Sequence, residues 1–323
     1  MWFNILTENH GRVETLEPLA PLIRYMREAI GACGHDVTIV HDQVYPDAVN
    51  LFLEQFVTRD YAKGFTELRS RGIAIGVVAT ELMVGGKIPY ERYGVSFGGK
   101  RNEEKARLRV ERFEAAVDAA DFLWSILERN HLEYKDRVRV AEFFPVGSTR
   151  EIPLAERRSP KDIDVVFFGR ATPHRAAVLN ALAGTGLTLV IAGRGTPGGW
   201  LPSFMVESLL DRAKIGLNLN LHGLSESADG IDPRFASAMR IKEMLERGVC
   251  IVSEEIPLCN PYADLMISAP AEEIATTCRR VIRSGEWESF GAQAMQRFRR
   301  EMKAADICAP VIGRTLQRIG KGP

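Results

Sequence analysis

Residues 237–253 read SAMRIKEMLERGVCIVS, the pattern of a helix that leads directly into a buried strand. Apolar side chains recur at helical spacing up to Leu245, and Gly248 supplies a typical helix end. The next four residues, 249–252, form a short apolar run that suits a strand covered on both faces. A helix followed at once by such a strand predicts a parallel α/β sheet.

Two charged residues in this stretch are not required by packing. Arg240 and Glu243 lie three residues apart, on one face near the start of the predicted helix. An arginine in a first turn opposes the helix dipole, so a bound anion explains it better than helix stability does. A surface ion pair between the two side chains is the alternative, and the spacing alone leaves both interpretations open.

The same alternation of short apolar runs and helical patterns extends through the whole chain. At 323 residues the chain is too long for one ordinary hydrophobic core, so two domains are expected. Residues 148–161 turn polar and carry two prolines, which predicts a linker. We therefore assign an N-terminal domain to residues 1–150 and a second domain to residues 160–305. A final amphipathic helix is predicted over residues 308–319.

The side chains carry no formal net charge, because 42 basic residues balance 42 acidic ones. A neutral chain has no global field for nucleic acid or an acidic membrane, so local charges must hold any anionic ligand. None of the five cysteines forms a CxxC pair, and no apolar run approaches about 18 residues. We expect a cytoplasmic protein with reduced thiols, no nucleic-acid partner and no integral membrane contact.

Ligands of open parallel sheets bind at the carboxyl ends of the strands, so the turns after the predicted strands supply the candidate residues. Glycines in these turns let a ligand approach the backbone, and arginines there supply fixed positive charge that suits a diphosphate. Surface solubility is the alternative role for each arginine. The candidates in the second half are Gly169, Arg170, Arg175, Gly193, Asn220, His222, Arg240 and Glu243. Neither a Gly-x-Gly-x-x-Gly nor a Walker loop is present.

The second half resembles a known family. A strand followed by Gly169-Arg170 is succeeded by Ala-Gly-Arg-Gly at 192–195 and Ile-Gly-Leu-Asn-Leu-Asn at 215–220. From Arg240 the chain continues as Arg-x-x-Glu-x-x-x-x-Gly-x-x-x-Val. Together these motifs, within residues 160–300, are similar to the donor domain of GT-B glycosyltransferases, especially the CgeB-like branch related to the glycogen-synthase-like group.

The resemblance implies two doubly wound Rossmann-like α/β domains facing a cleft, with the helix over 308–319 packed on the first domain. It implies a nucleoside-diphosphate sugar as co-substrate, no further cofactor and no metal. Glu243 would hold the ribose hydroxyls, while Arg240 and Arg170 would face the diphosphate. The resemblance leaves the acceptor open, and we expect a small molecule, a glycan or a protein.

For a base or general acid, the predicted strand ends of the first half offer His10 and Glu81, with Asp42 and Glu54 as further options. Glycines and aromatic residues over 85–100 predict a binding loop or lid. Two alternatives to glycosyl transfer stay open: a sugar-nucleotide epimerase of the same fold, and a glycosyltransferase-like binding protein without catalysis.

Overall fold

The computed structural model describes most of the chain, namely residues 1–7, 16–54, 56, 59–83, 85–86, 103–149, 160–196, 198–221, 234–256 and 260–322. Within it the chain forms two compact units. Unit 1 comprises Met1–Thr149 together with Ala304–Pro323, and unit 2 comprises Arg150–Lys303. The predicted loop over 85–100, beyond Gly86, and most of the predicted linker lie outside the described residues.

Unit 1 is built on a six-stranded sheet with the order β2-β1-β3-β4-β5-β6, in which every pairing of neighbours is parallel. Its strands are β1 Trp2–Leu6, β2 Asp36–Val40, β3 Val49–Leu53, β4 Ala74–Ala79, β5 Phe122–Ser125 and β6 Ala141–Phe143. The helices between them are α1 Ala20–Ala32, which follows a 3-10 turn at Glu17–Leu19, α2 Ala62–Ser70, α3 Glu103–Ala119 and α4 Glu128–Tyr134.

Unit 2 repeats this plan with five parallel strands in the order β11-β10-β9-β7-β8. Its strands are β7 Ile163–Phe168, β8 Leu189–Ala192, β9 Ala213–Asn218, β10 Cys250–Glu254 and β11 Ile267–Ala269. Its helices are α5 Pro173–Ala183, α6 Ser203–Arg212, α7 Ala238–Leu245, α8 Ile274–Ser284 and α9 Glu286–Glu301, with 3-10 turns at Ala263–Leu265 and Ala271–Glu273. The first strand of each sheet lies between the second and third, so the order reverses at β1/β3 and at β7/β9.

The stretch that opens with Ser237 folds as the sequence predicts. In α7 the side chains of Ala238, Ile241, Met244 and Leu245 are buried. The helix ends at Leu245, and the turn that follows it contains Gly248, whose φ of 65° is one that residues with a side chain rarely adopt. The chain then enters β10, whose five residues are all buried. The predicted fold class of doubly wound parallel sheets is therefore confirmed.

The last helix, α10 (Ala304–Arg318), belongs to unit 1. The indole Nε1 of Trp124 in β5 donates to Oγ1 of Thr315 at 2.9 Å, and both side chains are buried. Arg314 forms an ion pair with Glu142 in β6 at 2.7 Å. These contacts, with the buried residues Cys308 and Ile312, bind the helix to the same sheet as the N-terminal strands.

One part of unit 1 differs from its sequence pattern. The apolar residues over 138–144 predict a strand, which the structure confines to β6, Ala141–Phe143, and helix α4, which the sequence does not predict, precedes it. Helix α4 has seven residues, of which only Asn130 and Tyr134 are buried. It is therefore too short to show the repeated spacing of apolar residues by which a helix is recognised in a sequence. Among the described residues, no helix is both long enough and apolar enough to cross a membrane.

Candidate functional site

The candidate site of unit 2 lies at the carboxyl ends of its strands, where β7 and β9 are neighbours and the strand order reverses. After β7 the chain turns through Gly169 and enters α5, which Thr172 caps by accepting a hydrogen bond from the backbone N of Arg175. The same hydroxyl donates to the carbonyl of Leu221 at 2.9 Å. The start of α5 is thus attached to the segment that follows β9.

Arg175 completes this attachment with a guanidinium group that is almost entirely buried. It donates from Nε to the carbonyl of Asn220 at 2.9 Å and from Nη2 to that of Leu219 at 2.8 Å. A third hydrogen bond runs from Nη1 to the carbonyl of Arg170 at 3.0 Å. Burial lowers the pKa of Arg175 below its usual value, and the nearby charge of Arg240 lowers it further. These contacts fix the two loops, while direct ligand binding by Arg175 stays a prediction.

Gly193, in the turn after β8, lies directly against the backbone of Gly169. A Cβ built there would stand 1.9 Å from the carbonyl oxygen of Gly169. The φ of Gly193 is 134°, which also disfavours a side chain. The glycine therefore lets the turns after β7 and β8 pack directly on each other. This packing is a sufficient reason for a glycine at position 193, and no ligand is needed to explain it.

Arg240, in the first turn of α7, extends toward the turn after β7. Its Nη2 would be 2.9 Å from a Cβ on Gly169, and its guanidinium lies over the rings of Phe167 and Phe168 at 5.6 and 5.7 Å. Burial lowers the pKa of Arg240 to about 10, so the group is still charged at neutral pH. Within the described residues its only hydrogen bond runs from Nη1 to Oδ1 of Asn218, at 3.4 Å.

Glu243 lies one turn further along α7 and is partly buried. Among the described residues its carboxylate has neither a hydrogen bond nor an ion pair, and it is not joined to Arg240. Burial raises its pKa, an effect that the charge of Lys242 opposes. The surface ion pair that sequence spacing left open is therefore absent from this part of the structure. Two opposite charges on one face of α7 thus both lack an ion-pair partner among the residues that the structure describes.

Other charged residues in and just after α7 are paired. Lys242 and Glu246 form a buried pair at 2.8 Å within this segment. Arg247 binds Glu207 and Asp211 of α6, each at 2.7 Å. Arg247 thus holds the end of α7 on α6 through ion pairs in which neither Arg240 nor Glu243 takes part.

Asn220, two residues after β9, belongs to a polar network that the sequence did not reveal. Its backbone N donates to Oε2 of Glu254 at 2.5 Å. The other oxygen of Glu254, Oε1, lies 2.6 Å from Nε2 of His174 in the first turn of α5. His174 and Glu254 are 80 residues apart, so their contact cannot be read from the sequence. The one signal in the sequence is that Glu254 closely follows a buried apolar run. The predicted ligand His222 lies outside the described residues.

In unit 1 the candidate Glu81 follows β4 and has a side chain that is 36% exposed. Its Oε1 lies 3.7 Å from Nη2 of Arg109 in α3. The same arginine donates to both oxygens of the buried Glu54 at 2.7 Å, which fixes α3 at the end of β3. The other candidate, His10, lies outside the described residues, so its role stays a prediction.

Metal binding has no support in the described part of the chain, where no group of three or more His, Cys, Asp or Glu residues lies close enough to hold an ion. The described cysteines, Cys33, Cys250, Cys278 and Cys308, are free thiols. Burial raises the pKa of the last three to about 12, so they are protonated and unreactive at neutral pH.

Comparison with known proteins identifies the architecture. No protein-family model matches the chain, and no curated protein matches it. The structure of trehalose-6-phosphate from E. coli bound with UDP-2-fluoro glucose is 13% identical, with a TM-score of 0.53 over 96% of this chain and 82% of that one. The UDP-forming alpha,alpha-trehalose-phosphate synthase from Burkholderia xenovorans is 10% identical, with a TM-score of 0.51 over 86% and 75% of the two chains.

A third structure, the corresponding synthase from Burkholderia vietnamiensis, is 11% identical, with a TM-score of 0.50 over 96% of this chain and 83% of that one. Identities this low establish the fold alone. The chain has the GT-B fold, with two doubly wound Rossmann-like α/β domains built on parallel sheets.

Proposed function

We propose that the protein is a glycosyltransferase of the hexosyltransferase type, within the CgeB-like branch, which moves a sugar from a nucleoside-diphosphate sugar to an acceptor. In this proposal unit 2 is the donor domain, and unit 1 holds the acceptor, a small molecule, glycan or protein. The observation that carries the proposal is the arrangement of Arg240 and Glu243, two charges on one helix face that lack ionic partners in the described structure.

The two side chains match the two polar parts of a nucleoside diphosphate. A guanidinium presents N–H groups in a planar fork that fits phosphate oxygens, so Arg240, with Arg170 nearby in the chain after β7, would bind the diphosphate. A carboxylate accepts two hydrogen bonds at once, so Glu243 would hold the vicinal ribose hydroxyls. Arg175 keeps its three carbonyl contacts and supports this site by fixing the loops.

Transfer breaks the bond between the sugar and the diphosphate, which leaves with additional negative charge. Arg240 would stabilise that charge, because it remains protonated at neutral pH and lies in a buried setting where electrostatic interactions are strong. If transfer inverts the anomeric centre, a base must take the proton of the acceptor hydroxyl, and Glu81 and His10 are our candidates.

The test is product analysis with a panel of nucleotide sugars carrying isotope-labelled sugars, each incubated with the protein and a metabolite extract. Transfer releases the nucleoside diphosphate and places the label on a new molecule, as detected by mass spectrometry. An isomerised nucleotide sugar would identify an epimerase, and binding without turnover a binding protein. Arg240→Lys should lower the yield of labelled product, whereas Arg279→Lys, on the exposed side of α8, should not.

A further inference from the structure

The side-chain oxygen of Asn220 is a buried acceptor to which no described residue donates. Asn220 is only 4% exposed, and no group in the described part of the chain donates to its Oδ1. The orientation of the amide is set because Nδ2 donates to the carbonyl of Glu255 at 3.3 Å. Buried polar groups are nearly always paired, so a ligand or a water molecule must supply the missing donor.

The backbone of Asn220 is fixed by contacts with two elements, α5 and β10, so its side-chain oxygen is held in place before a ligand arrives. The carbonyl accepts from Arg175 of α5, and the backbone N donates to Glu254 at the end of β10. Glu254 in turn binds His174 of α5 at 2.6 Å. This arrangement lies at the same edge of the sheet as Gly169, against which Arg240 of α7 lies.

The chemistry of a nucleotide sugar decides which of its groups can donate a hydrogen bond to Oδ1 of Asn220. A diphosphate at neutral pH offers only acceptors, so it cannot donate to Oδ1. The ribose hydroxyls are assigned to Glu243 on α7. The remaining donors close to the diphosphate are the hydroxyl groups of the sugar.

We propose that Oδ1 of Asn220 accepts a hydrogen bond from one hydroxyl group of the transferred sugar, with Glu254 and His174 as the positioning residues that hold Asn220. The inference rests on the proposed function and deepens it, because it requires a donor sugar with a free hydroxyl at one defined position. A nucleotide sugar that lacks a donor at that position is a poorer ligand.

The test is a double-mutant cycle between Asn220 and the ligand. Calorimetry compares UDP-glucose with its mono-deoxyfluoro derivatives, whose fluorine replaces a hydroxyl and cannot donate, and with UDP alone. For the parent, one fluoro derivative should bind about tenfold more weakly than UDP-glucose. For Asn220→Ala that difference should vanish, while the affinity for UDP stays within about twofold of the parent's.

Asn180→Ala, on the exposed side of α5, is the matched control and should keep the parent's pattern. Glu254→Gln tests positioning: it should reduce the hydroxyl-dependent difference and leave UDP affinity nearly unchanged. If UDP-glucose binds but Asn220→Ala leaves the effect of every fluorine unchanged, the inference is wrong. A water molecule then donates to Oδ1 of Asn220, and the proposed function still stands. If no nucleoside diphosphate or nucleotide sugar binds the parent, both proposals fail.

Discussion

The guanidinium of Arg240 lies against the backbone of Gly169, so closely that a Cβ on the glycine would stand 2.9 Å from Nη2. The contact joins the first turn of α7 to the turn after β7, although the two residues are far apart in the sequence. It places a charged group where the strand order of the sheet reverses, which is where α/β proteins bind their ligands.

Lysine in place of Arg240 should keep the positive charge but lose the planar fork of donors. We expect Arg240→Lys to reduce turnover more than donor binding, because the interaction strengthens as charge develops on the leaving diphosphate. The loss of turnover should be roughly 100-fold, the order seen when one donor to a developing charge is removed. Steady-state kinetics and calorimetry on the same preparations measure both effects. Turnover equal to that of the parent and of Arg279→Lys would mean that the guanidinium of Arg240 takes no part in transfer.

The turn after β8 should tolerate no side chain at position 193. Gly193→Ala forces a methyl group into the carbonyl of Gly169, and unit 2 should lose about 3 kcal/mol of stability. Gly184→Ala is the matched control, because its Cβ would meet only an ordinary contact at 3.6 Å. Denaturant unfolding of both variants measures the difference. Equal stability would show that the two turns do not approach as described.

Glu243 should make the fold less stable as the pH rises. Burial raises its folded-state pKa above the ordinary 4.5, so the folded protein binds more protons than the unfolded chain between those two pKa values. The free energy of unfolding therefore falls as the pH rises through that window. Glu243→Gln lacks this fall, so the variant should be more stable than the parent at pH 7 and equal to it below pH 4. Urea denaturation across this range checks the sign, with Glu272→Gln, an exposed residue, as control.

Helix α10 should stabilise unit 1 specifically. Thr315→Val leaves the buried indole N–H of Trp124 without its acceptor, at a cost of about 1–3 kcal/mol. Hydrogen exchange should show reduced protection in Met1–Thr149, with Arg150–Lys303 unaltered. Thr276→Val, at an exposed position of α8, should leave both units unaltered. Unchanged protection in unit 1 would mean that α10 contributes little to it.

The sequence predicts the alternating strands and helices well, because the spacing of apolar residues and the glycines that end helices are local properties of the chain. Arg240 and Glu243 could be selected for a similar reason, since an arginine in a first helical turn conflicts with the helix dipole. The contacts of Arg175 could not be predicted, because they depend on β7 and β9 being neighbours although β8 lies between them in the chain.

The remaining site residues depend on still longer separations. The bond between His174 and Glu254 spans 80 residues, and that between Arg109 and Glu54 spans 55. A glutamate beside an apolar run and an arginine within a charged helix look like ordinary surface residues in a sequence. Only the assembled sheets show that these side chains are buried and paired.

The central claim is that Glu243 holds the ribose of a nucleoside diphosphate, and calorimetric titration of Glu243→Ala with UDP, GDP, ADP and dTDP tests it most directly. The parent should bind at least one of these ligands. The variant should bind it more weakly by about 1.5–3 kcal/mol, the range for a hydrogen bond to a charged group, with its circular dichroism spectrum unchanged. A folded Glu243→Ala protein whose affinity equals that of the parent would contradict the account.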